Sequence, residues 1–149
     1  MPRNVLLIQD DPADAKSVQE ALANSSDEAF QVDWVRRCSE GLDRLATEEM
    51  HRSAGIVAIL VDLFLPDSQG IETFKRLFRG APHVPILILS EPWHAGFAKW
   101  AVQHGAQDYL LKTRIDSYWL PKALNSMLER AAIAEALFEE KERAQVTLN

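Results

Sequence analysis

The chain has 149 residues, enough for one domain whose core lies between two layers of helices, and its 47% hydrophobic content is that of a globular protein. Its net charge of −6 is opposite to what nucleic acid or an anionic membrane attracts, so we expect neither as a partner. Cys38 is the only cysteine and no apolar run approaches the roughly 20 residues of a membrane span, so we expect a cytoplasmic protein without an internal disulfide.

Segments typical of strands alternate with segments typical of helices along the whole chain. Short apolar runs predict the strands, and apolar residues at helical spacing predict the helices. Ser39 is a candidate N-cap for the second helix. In chain order the predicted elements are strand 5–9, helix 12–24, strand 30–35, helix 39–50, strand 56–61, helix 71–78, strand 84–89, helix 94–103, strand 106–111 and a last helix from about 116 past 142.

This alternation predicts an α/β fold with a doubly wound, five-stranded parallel sheet. The run 56–61 is apolar at every position, as a central strand must be when helices cover both faces of the sheet. Five such units are too few for a barrel, which needs eight. The chain therefore predicts an open sheet with five helices, the last of them extended.

Polar residues with useful chemistry stand at the ends of four predicted strands. They are Asp10 and Asp11, Asp62, Ser90 and Lys112. Because the carboxyl ends of parallel strands share one edge, where ligands bind, we expect these five side chains to meet in one crevice. Three carboxylates suit a magnesium ion, which prefers oxygen ligands, and an ammonium and a hydroxyl suit a phosphoryl group. Asp62, at the end of the most buried strand, is the candidate nucleophile.

Four short motifs make the chain resemble the receiver domain of two-component response regulators over residues 4 to about 130. The motifs are QDD at 9–11, VDLFLPDSQG at 61–70, ILS at 88–90 and DYLLK at 108–112. The resemblance implies a flavodoxin-like sheet of order 2-1-3-4-5. It also implies a phosphoacceptor domain that is not an enzyme and that catalyses only its own phosphorylation and dephosphorylation. It implies a receiver at 1–130 and a helical extension or linker at 131–149.

The same resemblance assigns a role to each site residue. Asp62 is the residue that accepts a phosphoryl group, in a reaction that depends on Mg²⁺, from a histidine kinase or a histidine phosphotransfer protein. Lys112 and Ser90 bind the phosphoryl group, and Ser90 and Tyr109 form the switch pair that alters a protein-interaction surface. The metal ligands that it implies are Asp10, Asp11, Asp62 and the backbone carbonyl of Phe64.

Three residues differ from the usual family pattern. Thr113 follows the lysine where proline is usual, and we expect a trans bond there because a cis bond before a non-proline residue costs about 2.5–4 kcal/mol. Glu91 follows the switch hydroxyl and can repel a phosphate. Phe64 lies two residues after the phosphoacceptor, where we expect its ring to exclude the attacking water and to slow self-dephosphorylation.

Other interpretations of these residues remain open. Asp10 and Asp11 can cap a helix, Tyr109 can be ordinary packing, and the whole chain can be a receiver-like binding module that works without phosphorylation. A flavodoxin-like enzyme or nucleotide binder is less favoured, because the sequence has no glycine-rich phosphate loop. In the last helix an apolar seam runs from Leu120 to Phe138. Its second half can be a solvated tail or a coiled coil, and either this half or the face of the fourth and fifth helices can support a homodimer.

Overall fold

A computed structural model of the chain describes residues 3–23, 30–51 and 55–148. Helices and strands alternate along these residues, as the sequence predicts. We number the strands of the main sheet and the α-helices in chain order. They are β1 (Arg3–Ile8), α1 (Pro12–Ala23), β2 (Phe30–Val35), α2 (Cys38–His51), β3 (Ile56–Asp62), α3 (Ile71–Gly80), β4 (Ile86–Ser90), α4 (Ala95–Gln103), β5 (Asp108–Leu111) and α5 (Trp119–Leu148).

The five numbered strands form one parallel sheet in the order β2-β1-β3-β4-β5. This order and the five helices confirm the predicted doubly wound, flavodoxin-like α/β fold. Ile8 of β1 lies opposite Val61 of β3, and Ser90 of β4 lies opposite Leu111 of β5. The residues that follow these strands therefore leave the sheet at one edge.

The core consists of one apolar layer on each face of the sheet. On one face Ile59 and Val61 of β3 pack with α2, α3 and α4, and on the other face Ala58 and Leu60 pack with α1 and α5. Burial of β3 on both faces explains its apolar sequence. The sheet thus forms a rigid support for its carboxyl edge.

The segment after β3 is held by a hairpin and by a buried hydroxyl. Residues Phe64–Leu65 pair in antiparallel fashion with Ser68–Gln69. The hydroxyl of Thr73, in the first turn of α3, donates a hydrogen bond to the carbonyl of Leu63 at 2.7 Å. Gly70 precedes α3 with φ of 62°, a left-handed conformation that glycine adopts without a steric penalty. These contacts fix the chain directly after Asp62.

The prediction that Ser39 caps α2 is wrong, because a side chain from another loop caps this helix. The helix begins at Cys38, and the backbone N–H groups of Cys38 and Ser39 donate to the two carboxylate oxygens of Asp67 at 2.8 and 3.0 Å. Burial acts to raise the pKa of Asp67, but these hydrogen bonds outweigh it, and the pKa lies below its ordinary value. Asp67 therefore ties the loop after β3 to the start of α2.

Helix α5 is the longest element of the fold, and only its first part packs against the sheet. Leu120, Leu124 and Met127 are fully buried, whereas Ile133 and Phe138 are exposed by 61% and 62%. The first half of the predicted seam is therefore core, and the second half is open to solvent. Among the described residues no helix combines the length and the apolar character needed to cross a membrane.

Smaller differences from the predictions lie at element ends. β4 begins at Ile86 rather than at 84, and β5 begins at Asp108 rather than at 106. Gly105 has φ of 132°, and a Cβ atom there would lie 2.4 Å from the Phe78 ring, so only glycine fits between α4 and β5. The peptide bond after Lys112 is trans, as we predicted, and the described residues contain no cis peptide.

Candidate functional site

The carboxyl edge of the sheet brings Asp62 and Lys112 into direct contact. Asp62 ends β3, and Lys112 follows β5 as the first residue of a short 3-10 helix. The Lys112 ammonium donates to Asp62 Oδ2 at 2.5 Å. Two residues that are 50 positions apart in the chain thus form the centre of the site.

The Asp62 carboxylate is buried, with 9% of the residue exposed. Its Oδ1 accepts the backbone N–H of Phe64 at 2.8 Å, and its Oδ2 accepts the side-chain amide of Gln9 at 3.4 Å in addition to Lys112. Hydrogen bonds from both sides hold the carboxylate in one orientation. A buried carboxylate that is held in place and paired with a cation is a suitable nucleophile.

Lys112 contacts two further carboxylates that the sequence analysis did not assign to the site. Its ammonium donates to Asp14 Oδ2 of α1 at 2.9 Å and lies 3.5 Å from Glu91 Oε1. The Lys112 side chain is only 9% exposed. Burial acts to lower its pKa, but the hydrogen bonds to Asp62 and Asp14 outweigh burial, so the pKa of Lys112 is raised and the side chain stays charged.

Gln9 is a third residue of the site that sequence reasoning did not assign. It is 1% exposed, its amide N–H group reaches Asp62, and its Oε1 accepts the backbone N–H of Asp11 at 3.1 Å. Its backbone carbonyl accepts the indole N–H of Trp34 at 2.7 Å. Its position in the sheet could have indicated this role. Ile8 lies opposite Val61, so the next residues of the two strands, Gln9 and Asp62, are neighbours.

Asp10 and Asp11 do not point at Asp62. The Asp10 carboxylate accepts the Arg36 guanidinium at 3.2 Å in a pair that is about half exposed on both sides. The Asp11 carboxylate accepts the backbone N–H of Ala13 at 3.3 Å and thus caps the start of α1. Within 3–23, 30–51 and 55–148 no three His, Cys, Asp or Glu side chains are grouped closely enough to hold a metal ion.

The oxygen donors at this edge nevertheless suit magnesium. Asp10 lies just after β1 and Asp62 ends β3, the neighbouring strand. Carboxylate and carbonyl oxygens are the ligands that Mg²⁺ prefers. The exposed Asp10–Arg36 pair is worth at most about 1 kcal/mol, so rotation of Asp10 toward an ion costs little. The residues therefore fit a magnesium ion after one side chain turns.

The predicted switch residues make no hydrogen bond to Asp62 in this structure. Ser90 is buried, and its hydroxyl donates to the backbone carbonyl of Glu91 at 2.8 Å. Tyr109 is half-buried and packs against the core layer under α4. Ser90 lines the same cleft as Asp62, and neither side chain donates a hydrogen bond to the Asp62 carboxylate.

An aromatic group covers one side of Asp62. The Phe64 ring stacks on the His94 ring with centroids 3.9 Å apart, and the Phe97 ring meets Phe64 edge-on at 5.2 Å. Phe64 and His94 line one narrow cleft together with Asp62, Ser90 and Glu91. The stack therefore forms part of the wall of the cleft that contains Asp62.

Taken as chemistry, the site pairs a fixed carboxylate nucleophile with a permanently charged lysine. A hydroxyl, a backbone N–H and a neutral amide lie around them, and a divalent cation can bind at the rim. These groups suit the transfer of a phosphoryl group to Asp62, because the transferred group carries negative charge that the cations stabilise.

Comparison with known proteins points to the same chemistry. The model of a protein family described as the response regulator receiver domain matches residues 5–138. The KDP operon transcriptional regulatory protein KdpE of Escherichia coli is 33% identical over 109 residues, which are 73% of this chain and 44% of KdpE. The swarming motility regulation protein RssB of Serratia marcescens is 28% identical over 109 residues, 73% of this chain and 46% of RssB. The chain thus spans less than half the length of these curated relatives.

Solved structures share the fold at low identity. The signal receiver domain of an HD domain-containing protein from Pseudomonas fluorescens superposes with a TM-score of 0.74 at 18% identity, over 91% of this chain and 93% of that one. An adenylate cyclase structure from Rhodopirellula baltica gives a TM-score of 0.74 at 20% identity, over 95% and 98% of the two chains. A CheY-like receiver domain protein from Methanospirillum hungatei gives 0.68 at 20% identity, over 90% and 99%.

Proposed function

The chain belongs to the response regulator receiver domain family, and on this basis we propose that it accepts a phosphoryl group on Asp62 and passes the signal on through a protein-interaction surface. The observation that carries the proposal is the buried Asp62 carboxylate, held by the Phe64 N–H and paired with Lys112 at 2.5 Å. Membership of the family makes the chain a phosphoacceptor signalling domain, which differs from a classical enzyme in that its own side chain is the substrate.

In the proposed step an oxygen of the Asp62 carboxylate attacks the phosphorus atom of a phosphohistidine on a kinase or a phosphotransfer protein. The new P–O bond forms as the P–N bond breaks, and the leaving histidine nitrogen keeps the electron pair of that bond. The Lys112 ammonium stabilises the phosphoryl oxygens, and the Ser90 hydroxyl rotates from the Glu91 carbonyl to donate to one of them. Water later attacks the same phosphorus and releases phosphate, which restores the carboxylate.

Magnesium belongs to this proposal as the cation that neutralises charge on the transferred group. Asp10, Asp62 and the Phe64 backbone carbonyl would hold it, with Asp11 bound through water. Support comes from the family and from the weak, exposed pair that holds Asp10 now. This part of the proposal predicts that phosphorylation fails when divalent cations are removed.

The output of the site is proposed to pass through Ser90 and Tyr109 to the face of α4 and α5. The aromatic side chains of Trp93 and Phe97 are exposed by 74% and 40% on this face. We propose that the phosphoryl donor is a histidine kinase or a histidine phosphotransfer protein in the cytoplasm. We also propose that the receiver domain ends near residue 130 and that residues 131–149 form a helical extension. A homodimer through α4 and α5, or through the end of α5, is one form that the output can take.

Binding of beryllofluoride tests the proposed function against a module that works without phosphorylation. This reagent adds to an ionised carboxylate as a phosphoryl group does, and ¹⁹F NMR detects the bound form. We expect saturable binding that requires Mg²⁺ and disappears in Asp62→Asn, while the control Asp43→Asn, which changes an exposed carboxylate of α2, binds as the wild type does. Absence of binding to the wild type at saturating magnesium would favour the phosphorylation-independent module.

A further inference from the structure

Lys112 has more anionic partners than its charge can neutralise. Asp62, Asp14 and Glu91 lie at 2.5, 2.9 and 3.5 Å from its ammonium, and an ammonium has three N–H donors. Each carboxylate comes from a different element: β3, α1 and the segment after β4. The side chain of Lys112 is 9% exposed, so solvent screens these contacts only in part. Hydrogen bonds to Asp62 and Asp14 already occupy two of the three N–H groups of Lys112, and Glu91 lies within ion-pair distance of the ammonium.

A phosphoryl group on Asp62 therefore has to compete with these carboxylates for Lys112. The Asp62 carboxylate loses its own charge when it is phosphorylated, but Asp14 and Glu91 keep theirs. Both side chains lie within 3.5 Å of the ammonium that the phosphoryl oxygens need, and both carry the same sign of charge as those oxygens. They compete with the phosphoryl group for the donors and repel it at the same time.

We propose that Asp14 and Glu91 are positioning residues that hold Lys112 in a resting arrangement and weaken its binding to the phosphoryl group. This inference rests on the proposed function, since it concerns the same site. Asp14 is the stronger competitor, because it accepts a hydrogen bond at 2.9 Å whereas Glu91 lies 3.5 Å away. Removing either negative charge should release Lys112 toward Asp62 and its adduct.

A purely supporting role for Asp14 predicts the opposite change in affinity at Asp62, so the direction of that change tests the proposal. If Asp14 only supported Lys112 mechanically, its loss would misplace the ammonium and weaken the binding of any anion at Asp62. Asp14→Asn keeps the shape and one oxygen acceptor but removes the charge, so it separates competition from support. The exposed Lys16–Glu20 pair on the same helix supplies the control, because Glu20→Gln removes one negative charge from α1 at a site that does not contact Lys112.

The experiment measures the affinity of the full chain for beryllofluoride with magnesium, by ¹⁹F NMR, in the wild type, Asp14→Asn, Glu91→Gln and Glu20→Gln. We expect Asp14→Asn to bind about fivefold more tightly, a factor equal to ~1 kcal/mol at tenfold per 1.4 kcal/mol. Glu91→Gln should bind about twofold more tightly, and Glu20→Gln as the wild type does. Added salt should narrow the difference between the wild type and Asp14→Asn, an effect that mechanical support would not produce.

The outcomes separate this inference from the proposed function. Binding by the wild type with equal or weaker binding by both Asp14→Asn and Glu91→Gln would overturn the competition and leave the phosphoacceptor function intact. The same gain of affinity in Glu20→Gln would show a general charge effect and would also overturn it. No binding by the wild type would defeat both proposals. Glu91→Gln keeps the test decisive if Asp14→Asn does not fold.

Discussion

Replacing Asp67 with alanine should destabilise the fold through a helix that lies elsewhere in the chain. The two carboxylate oxygens of Asp67 accept the first N–H groups of α2 at 2.8 and 3.0 Å, and no helical partner exists for N–H groups in the first turn. Loss of a capping side chain costs ~1–2 kcal/mol of stability, typical of an N-cap. For a domain of this size, at about 2–4 °C for each kcal/mol, that loss lowers Tm by roughly 2–8 °C.

Urea unfolding followed by circular dichroism measures this loss directly. We expect the midpoint of Asp67→Ala to fall at an unchanged m value, while the control Asp43→Ala, which removes an exposed carboxylate within α2, changes stability by no more than ~0.5 kcal/mol. A midpoint for Asp67→Ala equal to that of the wild type would refute the cap.

The pH dependence of stability in the wild type and in a second variant, Asp67→Asn, supplies a further test of the cap. Because the pKa of folded Asp67 is lowered, its contribution is fully present above the unfolded pKa of about 3.9 and is lost as pH falls through the lower folded value. The stability difference between the wild type and Asp67→Asn should therefore be larger at neutral pH than at about pH 3. A difference that does not change with pH would contradict the role of the charged carboxylate.

Two further substitutions test single contacts around the site and the fold. Gly105→Ala should cost about 2–4 kcal/mol in urea unfolding, because φ of 132° is strained for alanine and the new Cβ meets Phe78 at 2.4 Å, whereas Gly96→Ala in open space on α4 should be neutral or stabilising. Phe64→Asn should speed the loss of phosphate from the phosphorylated chain about tenfold, a barrier lower by ~1.4 kcal/mol, because the ring that stacks on His94 no longer keeps water from Asp62. Time courses of the phosphorylated chain measure this rate. The control Phe64→Leu keeps an apolar side chain and should lose phosphate as slowly as the wild type. Loss of phosphate from Phe64→Asn no faster than from the wild type would count against shielding by the ring.

The sheet and the central pair of the site could be predicted because they depend on few, strongly determined features. A strand that is apolar at every position must be buried on both faces, and the carboxyl ends of parallel strands must share an edge. Asp62 and Lys112 stand at such ends, so their meeting follows from topology. The resemblance of the chain to receiver domains rested on the same strand ends, and the family match confirms it.

The contacts that the sequence did not reveal depend on side-chain directions between distant segments. Nothing in the local sequence distinguishes Asp14, which reaches Lys112 from α1, from an ordinary acidic residue in the first turn of a helix. Asp67 lies in the loop after β3, and its carboxylate caps α2 because this loop lies over the start of that helix. Asp10 is predicted to be a metal ligand, and the structure adds a partner that the sequence did not reveal, the guanidinium of Arg36. Such pairs follow from the packing of helices on the sheet, which local patterns do not encode.

Chemical trapping of the phosphorylated residue tests the central claim most directly. Borohydride reduces an aspartyl phosphate to homoserine, so the chain can be treated with a small phosphodonor and magnesium, reduced, digested and analysed by mass spectrometry. We predict homoserine at position 62 alone, and no homoserine when magnesium is withheld. Homoserine at Asp10, Asp11 or Asp14, or unmodified Asp62 after full treatment, would contradict it.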